Sequence, residues 1–377
     1  VVSAPPDRRE DATYLEVDTV DLEDPLATDP AFVIRPIQGK ARVRLSAGVN
    51  YKYGDLLLFT AEPLTPSDES DFSYKAFLSR QGIYTAIYHP RSIQVVGQGS
   101  ISPLLLGLEK LRQKARLVIL RQFPQPESGL LEGILLGNDN DMPASLKGAY
   151  QSTGMTHIIA ISGFNMAVLA GLVMLIFSRM FNRYWSALLA SIVLVTYAIF
   201  VGGSPSVVRA AVMAVSAFGG HLIGRRQSGG NALGFTAAGM CAINPQLLGD
   251  ISFQLSFAAT LGLVLFASPL QAWAMNLLKK HFPEEKVELV GPRVIEYTLF
   301  TLAAQVVTLP IIAIHFQRIS LSSLLANPLV LPVQPALLTL GGFSTIAGLI
   351  LPEAGRLLAL LAWPLLKYTN FMVELLA

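Results

Sequence analysis

The chain has 377 residues, 52% of them hydrophobic and only 14% charged, with 28 Lys and Arg against 26 Asp and Glu. Soluble domains carry about a quarter of their residues as charges, so a wholly soluble protein is excluded. A formal charge of +2 gives no argument for a nucleic-acid partner by itself. Up to about Gly154 the sequence is polar and mixed in charge, and beyond it long Leu, Ile, Val, Ala and Phe stretches dominate, which predicts one aqueous and one embedded part. The chain opens at Val1 with no basic n-region ahead of a short apolar core, so no signal peptide is expected. Cys241 is the single cysteine and can form no intramolecular disulfide.

In the aqueous part, residues 1–100, the runs 13–20, 41–46, 55–62, 83–88 and 92–96 are short, rich in β-branched or aromatic residues, and separated by Gly, Pro and Asp. They are predicted to be five strands, with one helix at 72–81. Ala41, Val43 and Leu45 alternate with Arg42 and Arg44, the period of a strand with one wet face. Five short strands and a helix suit a small β-barrel of the OB type, a fold that often binds single strands. Residues 1–100 hold ten basic and fourteen acidic side chains, so the domain as a whole is net acidic. Arg35, Lys40, Arg42, Arg44 and Lys52 nevertheless cluster with Tyr51 and Tyr53, offering cations for phosphates and rings for base faces. The competing reading is a solvated strand face beside a tyrosine-rich edge.

Residues 101–153 form a connecting segment. In 102–123, Leu104, Leu108, Leu111, Ala115, Val118 and Ile119 fall on one helical face and Lys110, Lys114 and Arg121 on the other. Such a basic amphipathic helix lies on a membrane surface or guides a polyanion toward a pore. Two short helices split by a turn at 137–143 are expected after it.

Residues 154–377 form the embedded part. A crossing needs about 20 apolar residues, which 155–178, 184–201, 206–223, 251–268 and 294–316 supply. The stretch 232–243 is short for a crossing. The stretch 319–351 is too long for one span and is interrupted by Pro328, Pro332, Pro335, Gly341 and Gly342. Broken helices at membrane depth are tolerated where protein or a water-filled cavity covers the freed backbone groups, so they point to a pathway. With every segment counted as a crossing, Arg179, Arg183, Arg225, Arg226, Lys279, Lys280, Lys286 and Arg293 fall on one side and Arg318 alone on the other. The rule that basic loops stay inside then puts residues 1–100 outside the cytoplasm.

Polar residues within spans are costly and should face protein or water. The candidates for a pathway are His157, Ser162, Asn165, Arg209, Gln254 and Asn327, accompanied by Ser256, Gln305, His315 and Gln334. His157 and Asn165 are two turns apart and share a face if the helix runs regularly through Gly163. Interhelical hydrogen bonding is the alternative role for the neutral ones, and snorkelling to the interface for Arg209. The broken helices would also suit a secondary transporter of a small polar solute.

Several strings resemble one family. They are Leu135-Leu136-Gly137, then Thr153-Gly154-Met155-Thr156-His157 with Ala160-Ile161-Ser162-Gly163, Pro205 through Arg209-Ala210-Ala211-Val212-Met213, Ser252-Phe253-Gln254-Leu255-Ser256-Phe257, and Asn327-Pro328-Leu329-Val330-Leu331-Pro332. In the aqueous part, Asp71-Phe72-Ser73-Tyr74, Phe77-Leu78 and Arg80-Gln81-Gly82-Ile83 join them. In order along most of the chain, these are similar to the ComEC competence proteins. The resemblance implies a multi-pass channel in the bacterial cytoplasmic (inner) membrane that passes single-stranded DNA inward during natural transformation. It also implies an external OB-like domain, a cytoplasmic DNA-translocating motor and an external DNA-delivery apparatus. The family's pattern places His where this chain has Asn165. The five histidines, at 89, 157, 221, 281 and 315, form no His-x-His-x-Asp signature, so neither a metal-dependent hydrolase nor a cofactor is expected.

Overall fold

In a computed structural model of the chain, period-2 and period-3.6 patterning separate into two compact units, Val1–Gln113 and Lys114–Ala377. The structure describes all residues except 9–11, 24–33, 68–73, 223, 225–227, 282–283, 318–319 and 321, and it does not describe the side chains of 8, 22–23, 34–37, 281 and 284–297. Arg225, Arg226 and Arg318 of the charge asymmetry, and Asp71, Phe72 and Ser73 of the motif, therefore lie outside the described residues. So do the side chains of Arg35, His281, Lys286 and Arg293.

In the first unit all five predicted strands form: β2 (Ala12–Glu23), β3 (Ile34–Ser46), β4 (Asp55–Thr60), β5 (Ile83–Tyr88) and β6 (Arg91–Gln98), after a two-residue β1 (Asp7–Arg8). They pair as a four-stranded sheet, β1-β2-β3-β5, and a two-stranded sheet, β4-β6. β3 and β5 run parallel. Parallel neighbours need a crossover of a dozen residues or more, which β4 and helix α1 (Tyr74–Arg80) provide. The alternation read in β3 holds, because Ala41, Val43 and Leu45 are buried with Val2, Leu15, Val17 and Ile87.

The second unit is helical: α2 (Pro103–Gln122, whose first turns belong to the first unit), α3 (Glu127–Leu136), α4 (Ala144–Ser152), α5 (Thr156–Ile159), α6 (Gly163–Met180), α7 (Arg183–Phe200), α8 (Pro205–Leu222), α9 (Gly229–Ile243), α10 (Ile251–His281), α11 (Glu284–Phe316), α12 (Ser323–Val330), α13 (Gln334–Ile350) and α14 (Pro352–Leu376). Among the described residues, five stretches are long and apolar enough to cross a membrane: Thr156–Met180, Arg183–Phe200, Ile251–Lys280, Thr298–Phe316 and Ser323–Ile350. α8 is a helix where a span was predicted but is not among the five, because Pro205, Arg209 and His221 dilute its hydropathy. α9, with 15 residues, rises only about 22 Å at 1.5 Å per residue, less than the ~30 Å of a hydrocarbon core.

α7 shows how the sequence suits lipid. Ser186, Ala187, Ala190, Leu194 and Ala198 are buried, whereas Leu188, Ile192, Val195 and Ile199 are exposed. Small residues inward and large apolar ones outward reverse the soluble pattern, as expected where close packing, and not water, drives helix association. The turn into α8 is made by Gly202 and Gly203 at φ 94° and 60°, a region open to glycine at little cost.

All ten residues of α3 are buried. Gly133 lies against the Ile159 carbonyl, where a Cβ would approach to 2.7 Å, and Gly341 of α13 lies against Leu131. Around α3 gather Ile119, Tyr150, Met155, Ala326, Val330, Leu337, Leu366 and Val373. The predicted turn at 137–143 does separate α3 from α4, with Gly137 closing α3 in the left-handed conformation at φ 68°.

Candidate functional site

α6 starts at a break. Ala160 and Ser162 are extended (ψ 150° and 164°), and Ser162 Oγ accepts the Asn165 N–H at 3.3 Å, capping the helix. The expectation that His157 and Asn165 share one helical face is thereby corrected: α5 ends at Ile159, and a serine that prefers to cap interrupts the register. His157 is exposed, with Nδ1 3.3 Å from the Gly154 carbonyl. Asn165 is only 5% exposed, and its Nδ2 has no hydrogen-bond partner.

α8 and α10 run side by side through a polar seam. Ser206 Oγ and Ser252 Oγ are 3.0 Å apart, Arg209 Nε donates to Ser256 Oγ at 2.8 Å, and Arg209 Nη1 donates to Thr260 Oγ1. The register rises on both helices together, so they are parallel, and Ser252, Ser256 and Thr260 occupy successive turns of one face. The guanidinium also lies 5.7 Å from the Phe257 ring centroid, in cation–π range. Arg209 is 7% exposed, and among the described residues no carboxylate pairs with it. Gly163, the first residue of α6, touches the same guanidinium, since a Cβ there would lie 2.5 Å from Nη2. The structure thus brings together Ser162, Asn165 and Arg209 of the predicted set, and adds Ser252, which the sequence marks only within a motif string, and Thr260, which it does not mark. The missed signal was the four-residue spacing of three hydroxyls in an apolar helix.

Gln254 serves elsewhere. Its Nε2 donates to the Leu248 carbonyl at 2.7 Å and its Oε1 is 3.1 Å from His315 Nε2, joining α10 to α11. Asn327 is 6% exposed with Oδ1 unpartnered, and Gln334 is 2% exposed with Nε2 unpartnered. Gln305 Nε2 donates to Ser323 Oγ at 2.8 Å, and Tyr150 donates its hydroxyl to Asn370 Oδ1 at 3.0 Å.

At the base of α3, Glu132 is fully buried and accepts from Arg116 Nε at 2.9 Å and from Asn138 Nδ2 at 2.5 Å, while Arg116 Nη2 pairs with Asp141. Burial pushes the Glu132 carboxyl up to about 7, and neighbouring Asp141 acts in the same direction, against the pull of Asn138 and Arg116.

In the first unit the basic residues of β3 face an acidic neighbour. Arg42 is in register with Glu16 and Lys40 with Asp18, a compensation invisible to a count along β3 alone. The Arg42 side chain is 11% exposed, lies 3.5 Å from Asp7 Oδ2, and is 4.9 Å from the Tyr14 ring centroid. Arg44 stands opposite Tyr14 and is half-buried. Lys40 and Lys52 are exposed. Tyr51 packs on the sheet core, and Tyr53 is half-buried, its hydroxyl pKa raised by burial and by Glu109 and Asp18. Arg42→Ala is therefore expected to destabilise the first unit by about 1–2 kcal/mol through lost packing and cation–π contact. Lys40→Ala should leave stability within about 0.5 kcal/mol. Denaturant melts of the two variants would check this.

The Competence protein family model matches residues 134–377, the region holding the α6, α8 and α10 contacts. ComE operon protein 3 of Bacillus subtilis (strain 168) is 27% identical over 274 residues, 72% of this chain and 32% of that protein. An uncharacterized protein of Aquifex aeolicus (strain VF5) is 31% identical over 160 residues, 42% of this chain and 36% of that protein. The chain thus spans about a third of the length of the curated relatives it matches. No solved structure matches. With its family model covering most of the helical unit and the motif strings falling at the capped start of α6 and along the α8–α10 seam, the chain belongs to the Competence protein family.

Proposed function

We propose that the helical unit is the membrane-embedded conduit through which single-stranded DNA enters the bacterial cytoplasm during natural transformation. The first unit stands outside the inner membrane as an OB-like domain that meets the strand. The observation carrying this reading is the buried guanidinium of Arg209 among hydroxyls, with no acid paired to it among the described residues, in the part of the chain that belongs to a competence family. A cation kept at such a place in an apolar bundle marks a route for ions, and the ion that competence delivers is a polyanion. The basic-loop asymmetry supports the orientation. The chain acts as a passage and not as a hydrolase, and receives the strand from an external delivery apparatus while a cytoplasmic motor draws it inward. The bilayer is its solvent, and α2 lies along the membrane surface.

The test is uptake of labelled DNA in cells lacking the protein, separating surface-bound label from label that has become nuclease-resistant. Bound DNA with no protected label is expected. Unchanged protected label would reject the conduit and leave a small polar solute as the cargo.

A further inference from the structure

Four unused donors belong to Arg209 and the first turn of α6, which meet at Gly163. Arg209 spends Nε on Ser256 and Nη1 on Thr260, with Met213 Sδ 3.6 Å from Nη1, while Nη2 makes no hydrogen bond among the described residues. That free nitrogen is the one facing Gly163. Gly163 and Phe164 are the first two residues of α6, so their N–H groups have no acceptor within the helix. Ser162 Oγ accepts the third, from Asn165. The Asn165 side chain, 5% exposed in the same first turn, holds the unpartnered donor Nδ2.

A buried cation without a counter-charge is costly, and here it stands beside the positive end of an 18-residue helix. Both features are satisfied by one oxyanion, whose tetrahedral oxygens suit a guanidinium edge and helix N-terminal amides together. Asp250, the residue before α10, uses Oδ1 to accept the Phe253 N–H at 2.9 Å and makes no ion pair with Arg209. Ser256 and Thr260 hold the guanidinium from behind, so Nη2 is oriented before any anion arrives.

We propose that Arg209 Nη2, the Gly163 and Phe164 amides and Asn165 Nδ2 form a phosphate station that takes one phosphodiester at a time from the passing strand. This rests on the conduit reading and names its ligand chemistry. One station binds a single phosphate weakly enough for the strand to move on, as conduction requires.

The test uses cells expressing the full chain, wild type or with Arg209→Gln or Asn165→Asp, at equal amounts in the membrane. Losing one charge-assisted contact should cut the rate of nuclease-resistant label at least about tenfold, with surface-bound label unchanged. Asn165→Asp separates binding from packing. A carboxylate in the first turn beside Arg209 favours the helix, so the purified variant should unfold at or above the wild-type temperature while uptake falls. Wild-type uptake by Asn165→Asp would overturn the station. The second arm adds inorganic phosphate to the purified chain. Stabilisation of wild type but not of Arg209→Gln, with uptake unaffected by either substitution, would assign the site to the free anion and overturn the strand. If deleting the protein abolishes uptake while both variants behave as wild type, the conduit stands and the station alone fails.

Discussion

Replacing Arg116 by Met is expected to destabilise the helical unit by about 3 kcal/mol near pH 8, because it leaves the Glu132 carboxylate buried without its cation. Glu132 is fully buried, while the Arg116 side chain is 37% exposed. Water therefore screens the pair in part, and the lower end of the usual range for breaking a buried pair applies. The loss should shrink in acid, since a protonated Glu132 needs no counter-charge. Wild type has a related signature. The folded chain holds the Glu132 proton up to about 7 and the unfolded chain releases it near the ordinary 4.5. Over that interval the folded state binds more protons, so stability is greatest below 4.5, falls as pH rises through 7, and then levels off. Glu132→Gln removes this slope and should rescue Arg116→Met. Thermal unfolding of the purified chain from pH 4 to 9 reads all three, and equal slopes in wild type and Glu132→Gln would rule out Glu132 as the titrating group.

Gly262→Val should have a comparable effect by a different cause. α10 and α11 approach so closely that Gly262 lies directly on the Ala303 carbonyl, with the Ala304 Cα 3.2 Å from where a Cβ would begin. Backbone cannot step aside as a flexible side chain can, so a branched side chain must separate the helices. About 3 kcal/mol, the upper end for overpacking, is expected. Small residues at such crossings are what allow helices to associate in lipid. The same separation would strain the Gln254–His315 contact. Gly234→Val is the control, as open space surrounds that position on α9. Detergent unfolding of both variants should show the first weakened and the second near wild type, apart from the small helix-propensity change.

Much of this architecture is legible in the sequence because its causes are local. Ala41, Val43 and Leu45 declare a strand by their period, and the long apolar stretches declare helices that belong in lipid. Gly137 marks the end of α3. Where the reading departed, local propensity met a competing demand. The interval 155–178 is predominantly apolar, so hydropathy gives one helix. Ser162 caps instead of continuing, and the helix restarts with its first residue, Gly163, against Arg209. α14 went unread as an element because its charges and Pro364 dilute it, yet it packs against α3, α4 and α13.

Charge needed the third dimension most. Along the chain Arg42 stands in a basic run, but pairing of β3 with β2 sets Glu16 opposite it, and Asp7 and Tyr14 enclose it. Arg209 and Ser256 are 47 residues apart, too far for spacing to couple them, although each could be flagged as polar in an apolar helix. The sequence by itself determined the strands of the first hundred residues, the long apolar helices and the family, since hydropathy, period and motif strings are properties of neighbouring residues. Only the tertiary structure decided which polar groups meet, because a buried guanidinium takes its partners from whichever helix faces pack against it.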